Sequence, residues 1–366
     1  MGDFFSCKII IIFSDIKNFM MKKTMFKKII TSIALFSAIF IFSQSRTEDF
    51  LLSMPEKKVS NSLYKSIKLI DARIDTTSMG IVQKGAFNVK ARVVPSIPLR
   101  KQFQDLITSL NTSNAQGGEL VIYLKQFSFA EITGMVSEKG YCYIQAYLFS
   151  KNADGKYQPL NKIDSVIVHS SMDVTKATMR KGSELLANFV IEKMNRKNNS
   201  TENYSIEEIM NFDRIQRLKY NLFRQENLVN GIYNTFQDFR DQKPSNIEVS
   251  SIKKIGDDKV IKIYSMQNGK EKVVDKENFY ALIHEGIPYI YSDLDRNFIK
   301  LTKKNDGDFY FIGRAKTNAK TGDVLVASVF FGIIGGLIAS DASANFEMKL
   351  DYMNGGFIPI KEVIKK

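Results

Sequence analysis

Along residues 141–149, Tyr141, Tyr143, Tyr147 and Phe149 occupy one alternation face, while Cys142, Ile144, Ala146 and Leu148 occupy the other. A strand with one solvated face alternates apolar with polar residues. This one is apolar on both sides, so each face calls for cover. The chain has the means to supply it, with 366 residues, 44% of them apolar and 25% charged, proportions of a folded protein and not of a disordered one.

The flanking segments read as a mixed α/β unit over residues 60–195. Ile67, Leu69 and Ile70 run into Asp71 and Arg73, a strand with a polar end, followed by a loop through Gly85. Leu99, Phe103, Leu106, Ile107 and Leu110 share one face of a helix. Gly117 and Gly118 break the chain before Leu120, Ile122 and Leu124 alternate as a strand. Turn chemistry at Asn152, Asp154 and Gly155 precedes a further strand near 165–168, and a helix over 173–194 closes the unit with Leu185, Leu186, Phe189 and Val190 as its stripe. The expected order is strand, helix, three strands, helix. That order, with Asp71 and Arg73 at the first strand end, resembles small envelope lipoproteins of the YajG type over about the first half of the mature chain. The resemblance implies a fold and no activity. The lipid-acceptor cysteine of those proteins is missing, so their anchoring does not carry over.

Residues 196–230 are expected as a linker with short helices, the first opened by a capping box of Ser205 and Glu208. Gly231, Tyr233, Thr235, Phe236 and Phe239, followed by Lys243, Pro244 and Ser245, predict a strand and a one-turn helix stopped by proline. The same residues are similar to a motif of exported Bacteroidetes proteins, a family of unknown function. From 231 to 366 short strands predominate, with turns at Gly256, at Asn268 and Gly269, at Gly307 and at Gly355, which predicts an antiparallel sheet or a small open barrel. The fold class is therefore α+β, an N-terminal mixed unit followed by a β-rich domain with one inserted hydrophobic glycine-zipper helix.

That helix is expected over 324–340. Residues 324–339 carry no charge, and Ser328, Gly332, Gly336 and Ser340 recur every fourth position, with Gly335 widening the stripe. Small residues in such a row let another backbone approach closely. Three readings stay open: a buried or self-associating helix, a segment dipping into a membrane, and a true span. A helix of sixteen residues is about 24 Å long, short of a hydrocarbon core of about 30 Å.

Residues 21–44 read as a secretory signal, with Lys22, Lys23, Lys27 and Lys28 ahead of an apolar run over 29–42 and Ser43 and Ser45 behind it. Residues 1–20 are expected to be an over-extended start. The net charge of +13 loses four to the six Lys and two Asp of residues 1–43. The rest is spread among acidic residues, so no nucleic-acid partner is expected. The destination is the periplasm or envelope, with envelope partners or self-association and possible membrane contact.

No catalytic set, metal site or cofactor fingerprint is read from the chain. His169 and His284 stand alone, and Cys142 is expected to be a core residue. Asp293, Asp295 and Asn297 begin like a calcium loop, but Phe298 replaces its glycine and Lys304 its bidentate glutamate. Two functions remain: a non-catalytic envelope protein that binds or assembles through its sheets and glycine segment, and an exported hydrolase using carboxylates such as Asp71, Asp293 or Asp295.

Overall fold

A computed structural model describes residues 47–84, 89–133, 138–172, 174–316 and 343–363. The N-terminal part contains β1 (Thr47–Phe50), β2 (Tyr64–Asp71), β3 (Gly80–Lys84), β4 (Val89–Pro95), α1 (Leu99–Leu110), β5 (Gly118–Thr133), β6 (Glu138–Lys151), β7 (Tyr157–Ser171) and α2 (Thr175–Ile191). Its strands form one mixed sheet in the order β1-β4-β3-β5-β6-β7, with β2 also parallel to β5. On one face, Leu106, Ile107 and Leu110 of α1 and Leu186 and Val190 of α2 pack with Leu120, Ile122, Ile144 and Leu148. On the other, Tyr123, Tyr147 and Phe149 bury against Tyr204, Ile209 and Phe212, while Tyr141 and Tyr143 join the core of the C-terminal sheets. The double alternation of β6 is thus a strand with a core on each face.

The loop expected through Gly85 instead holds β3, and β4 and the edge strand β1 lie where the sequence reading placed no element. Local pattern hides β3 because its place depends on a distant partner. Gly80 and Ile81 pair with Phe129 and Ala130 of β5, and Gly80 sits at φ 99° so close to the Phe129 carbonyl that a Cβ would lie 2.0 Å from its oxygen. Glycine alone tolerates both conditions.

Three short helices follow, α3 (Ile206–Met210), α4 (Phe212–Arg217) and α5 (Asn221–Arg224). The expected capping box opens α3: the Glu208 N–H donates to Ser205 Oγ at 3.1 Å and the Ser205 N–H to Glu208 Oε2 at 2.7 Å. Next come β8 (Gly231–Tyr233) and α6 (Phe236–Asp241), where the motif around Gly231 proves to be a packing unit. Gly231, at φ 143°, leaves room for the Pro244 ring, the Ser245 N–H donates to the Ile232 carbonyl at 2.7 Å, and the Tyr233 and Phe239 rings meet edge to face at 5.3 Å. α6 ends with Gln242 in the left-handed conformation, before Pro244 is reached.

The remaining strands are β9 (Val249–Ile255), β10 (Lys259–Gln267), β11 (Lys270–Val273), β12 (Ala281–His284), β13 (Ile287–Ser292), β14 (Asn297–Lys300), β15 (Thr302–Lys303), β16 (Phe309–Lys316), β17 (Ser343–Leu350) and β18 (Phe357–Glu362). They form two antiparallel sheets where one was expected. One runs β11-β10-β14-β13-β12-β8 with β9 on β10, and the other β15-β16-β17-β18. Ile283, Ile290 and Ile299 from the first and Phe309, Phe311, Phe346 and Met348 from the second share one core, which buries a face of each sheet. A single sheet would leave that face in water. Among the described residues no helix is long and apolar enough to cross a membrane. The segment 324–340 with Ser328, Gly332, Gly335, Gly336 and Ser340, and the signal at 21–44, lie outside the described residues.

Candidate functional site

Midway along β5 the register slips by one residue between Leu124 and Gln126. Leu124 and Phe127 both pack beneath the helices, so Lys125 and Gln126 turn together to the opposite face, where the turn after β17 docks. The Lys125 ammonium donates to Asp351 Oδ1 at 2.8 Å and lies 3.8 Å from the centre of the Tyr352 ring. Gln145 Nε2 donates to Asp351 Oδ2 at 2.6 Å, and the Met353 N–H to Oδ1 at 3.1 Å. Tyr352 donates its hydroxyl proton to Asp213 at 2.7 Å, and Asn354 Nδ2 donates to the Tyr143 hydroxyl at 2.9 Å and to Asp164 at 3.0 Å. Burial pushes the Asp351 carboxyl up, but the Lys125 charge and these hydrogen bonds outweigh it and hold it below the usual carboxylate range. Both members of the pair are closed to solvent, which makes this seam a clip between the sheets and not a reaction centre.

A second clip uses Arg217 of α4. Its guanidinium pairs with the buried Asp308, which also receives Lys349 at 2.5 Å, and donates to the Asp306 carbonyl at 2.5 Å. The short helices are thereby tied to the turn before β16.

Asp71 and Arg73 form a third arrangement. β2 leaves β5 at Leu124 and β3 joins it at Phe129, so β5 lacks a strand partner on that side between them. The Arg73 guanidinium serves this gap, bonding both Asp71 oxygens at 2.8 Å and donating to the Ser78 and Thr76 carbonyls at 3.2 Å each. Beside it a cleft of about 140 Å³ opens between the sheet and β18. Ser128, 7% exposed, is among the residues lining this cleft, and its hydroxyl is buried without a hydrogen-bond partner among the described residues. Gln126 lines it from the same face of β5. The sequence reading missed both. Their signal was two polar residues alternating with Phe127 and Phe129, which sets them on a common face.

The three candidate carboxylates do not form one constellation. Asp71 is engaged by Arg73, and Asp293 is exposed in the turn between β13 and β14. Asp295 accepts from Ser292 and Lys259 and from the Arg314 N–H, and its carboxyl stays low because these bonds outweigh burial. With both its oxygens taken, Asp295 acts as a strut and not as a calcium ligand. His169 Nδ1 lies 3.0 Å from the Lys181 ammonium, and His284 lies near Glu285. Cys142 is fully buried, and burial pushes its thiol well up. Among the described residues no three His, Cys, Asp or Glu side chains gather as a metal site would require.

No protein-family model and no curated protein matches the chain. Among solved structures, it is similar to a Xanthomonas campestris protein of family DUF330, at 12% identity over 40% of this chain and 93% of that one, with a TM-score of 0.26. It is likewise similar to an uncharacterized protein, at 12% identity over 41% of this chain and 97% of that one, with a TM-score of 0.23. Scores this low carry no argument about fold or function, and the neighbours are themselves uncharacterised or of a numbered family.

Proposed function

We propose that this chain is an exported envelope protein that acts by binding and assembly and not by catalysis. The observation behind this reading is the pairing of β16 with β17, which runs from Tyr310 opposite Lys349 to Lys316 opposite Ser343. The chain therefore departs at Lys316 and returns at Ser343 side by side, and the 26 residues between, with their uncharged glycine stripe, are an insertion at a hairpin end. A single membrane crossing there would part β17 from β16, and their ladder of hydrogen bonds requires both on the same side. Contact with a partner chain, or with a membrane surface entered and left from one side, is compatible with that ladder. The carboxylate alternative has no similar support, since Asp71 and Asp295 are each held in their own ion pair.

The test replaces residues 317–342 by a short turn containing Asn-Gly, which suits a hairpin. The shortened chain should keep its fold and melting temperature, while its assembly size or its retention in envelope fractions drops. Unaltered size and fractionation would overturn the assembly reading. An uncleaved amino terminus and a cytosolic location of the native chain would overturn export.

A further inference from the structure

The cleft between β5 and β18 has the makings of a small-molecule site. Its inner wall is the far face of the first sheet, where Gln126 and Ser128 stand beside the buried Arg73. Its outer wall is apolar, from Ile358, Pro359 and Ile360. At about 140 Å³ it matches, in order of magnitude, cavities of about 150 Å³ that admit benzene. A hydroxyl buried without a partner is costly in a native fold, which marks Ser128 Oγ as a group awaiting a bond.

The mouth adds charge. Arg92 is half-exposed and faces Asp75 only at 3.8 Å, a separation at which its N–H groups stay available. Asp75 accepts from the Thr77 N–H and hydroxyl and from the Ser78 N–H on Oδ1, while its Oδ2 is the atom that faces Arg92. Arg73 by contrast is spent on Asp71 and on two carbonyls. Arg92, held only by one 3.8 Å ion pair at the surface, is thus the less engaged guanidinium of the site, and guanidinium forks suit carboxylates.

We infer that this cleft binds a small monocarboxylate with a single ring or a compact aliphatic body, its apolar part against β18, a polar edge on Ser128 and its carboxylate at Arg92. The inference rests on the non-catalytic binding reading, since it supposes capture without turnover, and it does not involve residues 317–342.

Benzoate is the probe and benzamide its uncharged counterpart, each titrated into the full chain by calorimetry with the ligand followed by NMR. Benzoate should saturate at millimolar concentration or below, in keeping with the ceiling on affinity per ligand atom. Arg92→Gln should weaken benzoate about tenfold and leave benzamide unchanged, as loss of a charge-assisted bond predicts. Ser128→Ala should weaken both probes. No saturable binding, or benzoate binding indifferent to Arg92→Gln and Ser128→Ala, would overturn the site and leave the assembly reading intact. Saturable binding with chemical conversion of the probe would uphold the site and overturn the non-catalytic reading.

Discussion

Lys125 and Asp351, 226 positions apart, meet at 2.8 Å with side chains 8% and 1% exposed, and so join the first sheet to the last hairpin. An ion pair this deep costs desolvation on both sides, and it persists because Gln145, the Met353 N–H and the Tyr352 ring satisfy what the pair leaves open. Its removal should therefore be asymmetric.

Lys125→Met is expected to destabilise the fold by about 3 to 5 kcal/mol, because it strands a buried carboxylate. The double change Lys125→Met with Asp351→Leu should recover a large part of that loss. Urea denaturation of the two single variants and the double variant gives the coupling directly. A double variant as unstable as the sum of the singles would refute the coupling.

The same pair predicts an acid response. The Asp351 carboxyl is held low in the fold, whereas an unfolded aspartate titrates near 3.9. A depressed value contributes stability that is complete above the unfolded pKa and is lost as pH falls through the folded one. The stability gap between the native chain and Asp351→Asn should accordingly be widest near neutrality and close below about pH 4. Urea midpoints at pH 7, 4 and 3 report it, and a gap independent of pH would argue against the assignment.

Arg73→Lys should cost about 2 to 3 kcal/mol, since an ammonium cannot hold both Asp71 oxygens and reach the Thr76 and Ser78 carbonyls at once. The loss should be local as well as global. The Phe129 N–H, which donates to the Met79 carbonyl at 2.7 Å, should exchange with deuterium faster in the variant.

Gly182 on α2 predicts a repacking effect. Glycine to alanine normally favours a helix by about 0.5 to 1 kcal/mol, but here a Cβ would lie 2.5 Å from Cys142 Sγ and 3.1 Å from the Phe129 ring. Gly182→Ala should instead destabilise by about 1 to 3 kcal/mol. Adding Cys142→Ala removes the sulfur and should restore most of that loss, as thermal melts of the two variants would show.

Local signals in the sequence carried far in this chain. The double alternation of β6, the one-sided stripe of α1, the capping box of Ser205 with Glu208 and the glycine turns at Gly256, Gly269 and Gly307 are all properties of a few consecutive residues. Period and turn chemistry act within one element, so they can be read without knowing what packs against it.

What stayed hidden depends on partners far away in sequence. β3 exists because β5 pairs with it 49 positions on, and the two C-terminal sheets separate because their cores face each other. The clip of Lys125 with Asp351 and the cleft at Ser128 arise only when the last hairpin docks on the first sheet. Composition and periodicity by themselves determined that this chain forms strands, a few helices and covered sheets. Tertiary structure alone decided which polar residues are spent holding those sheets together and which remain free to bind, because desolvation and hydrogen-bond geometry are set by neighbours in space and not along the chain.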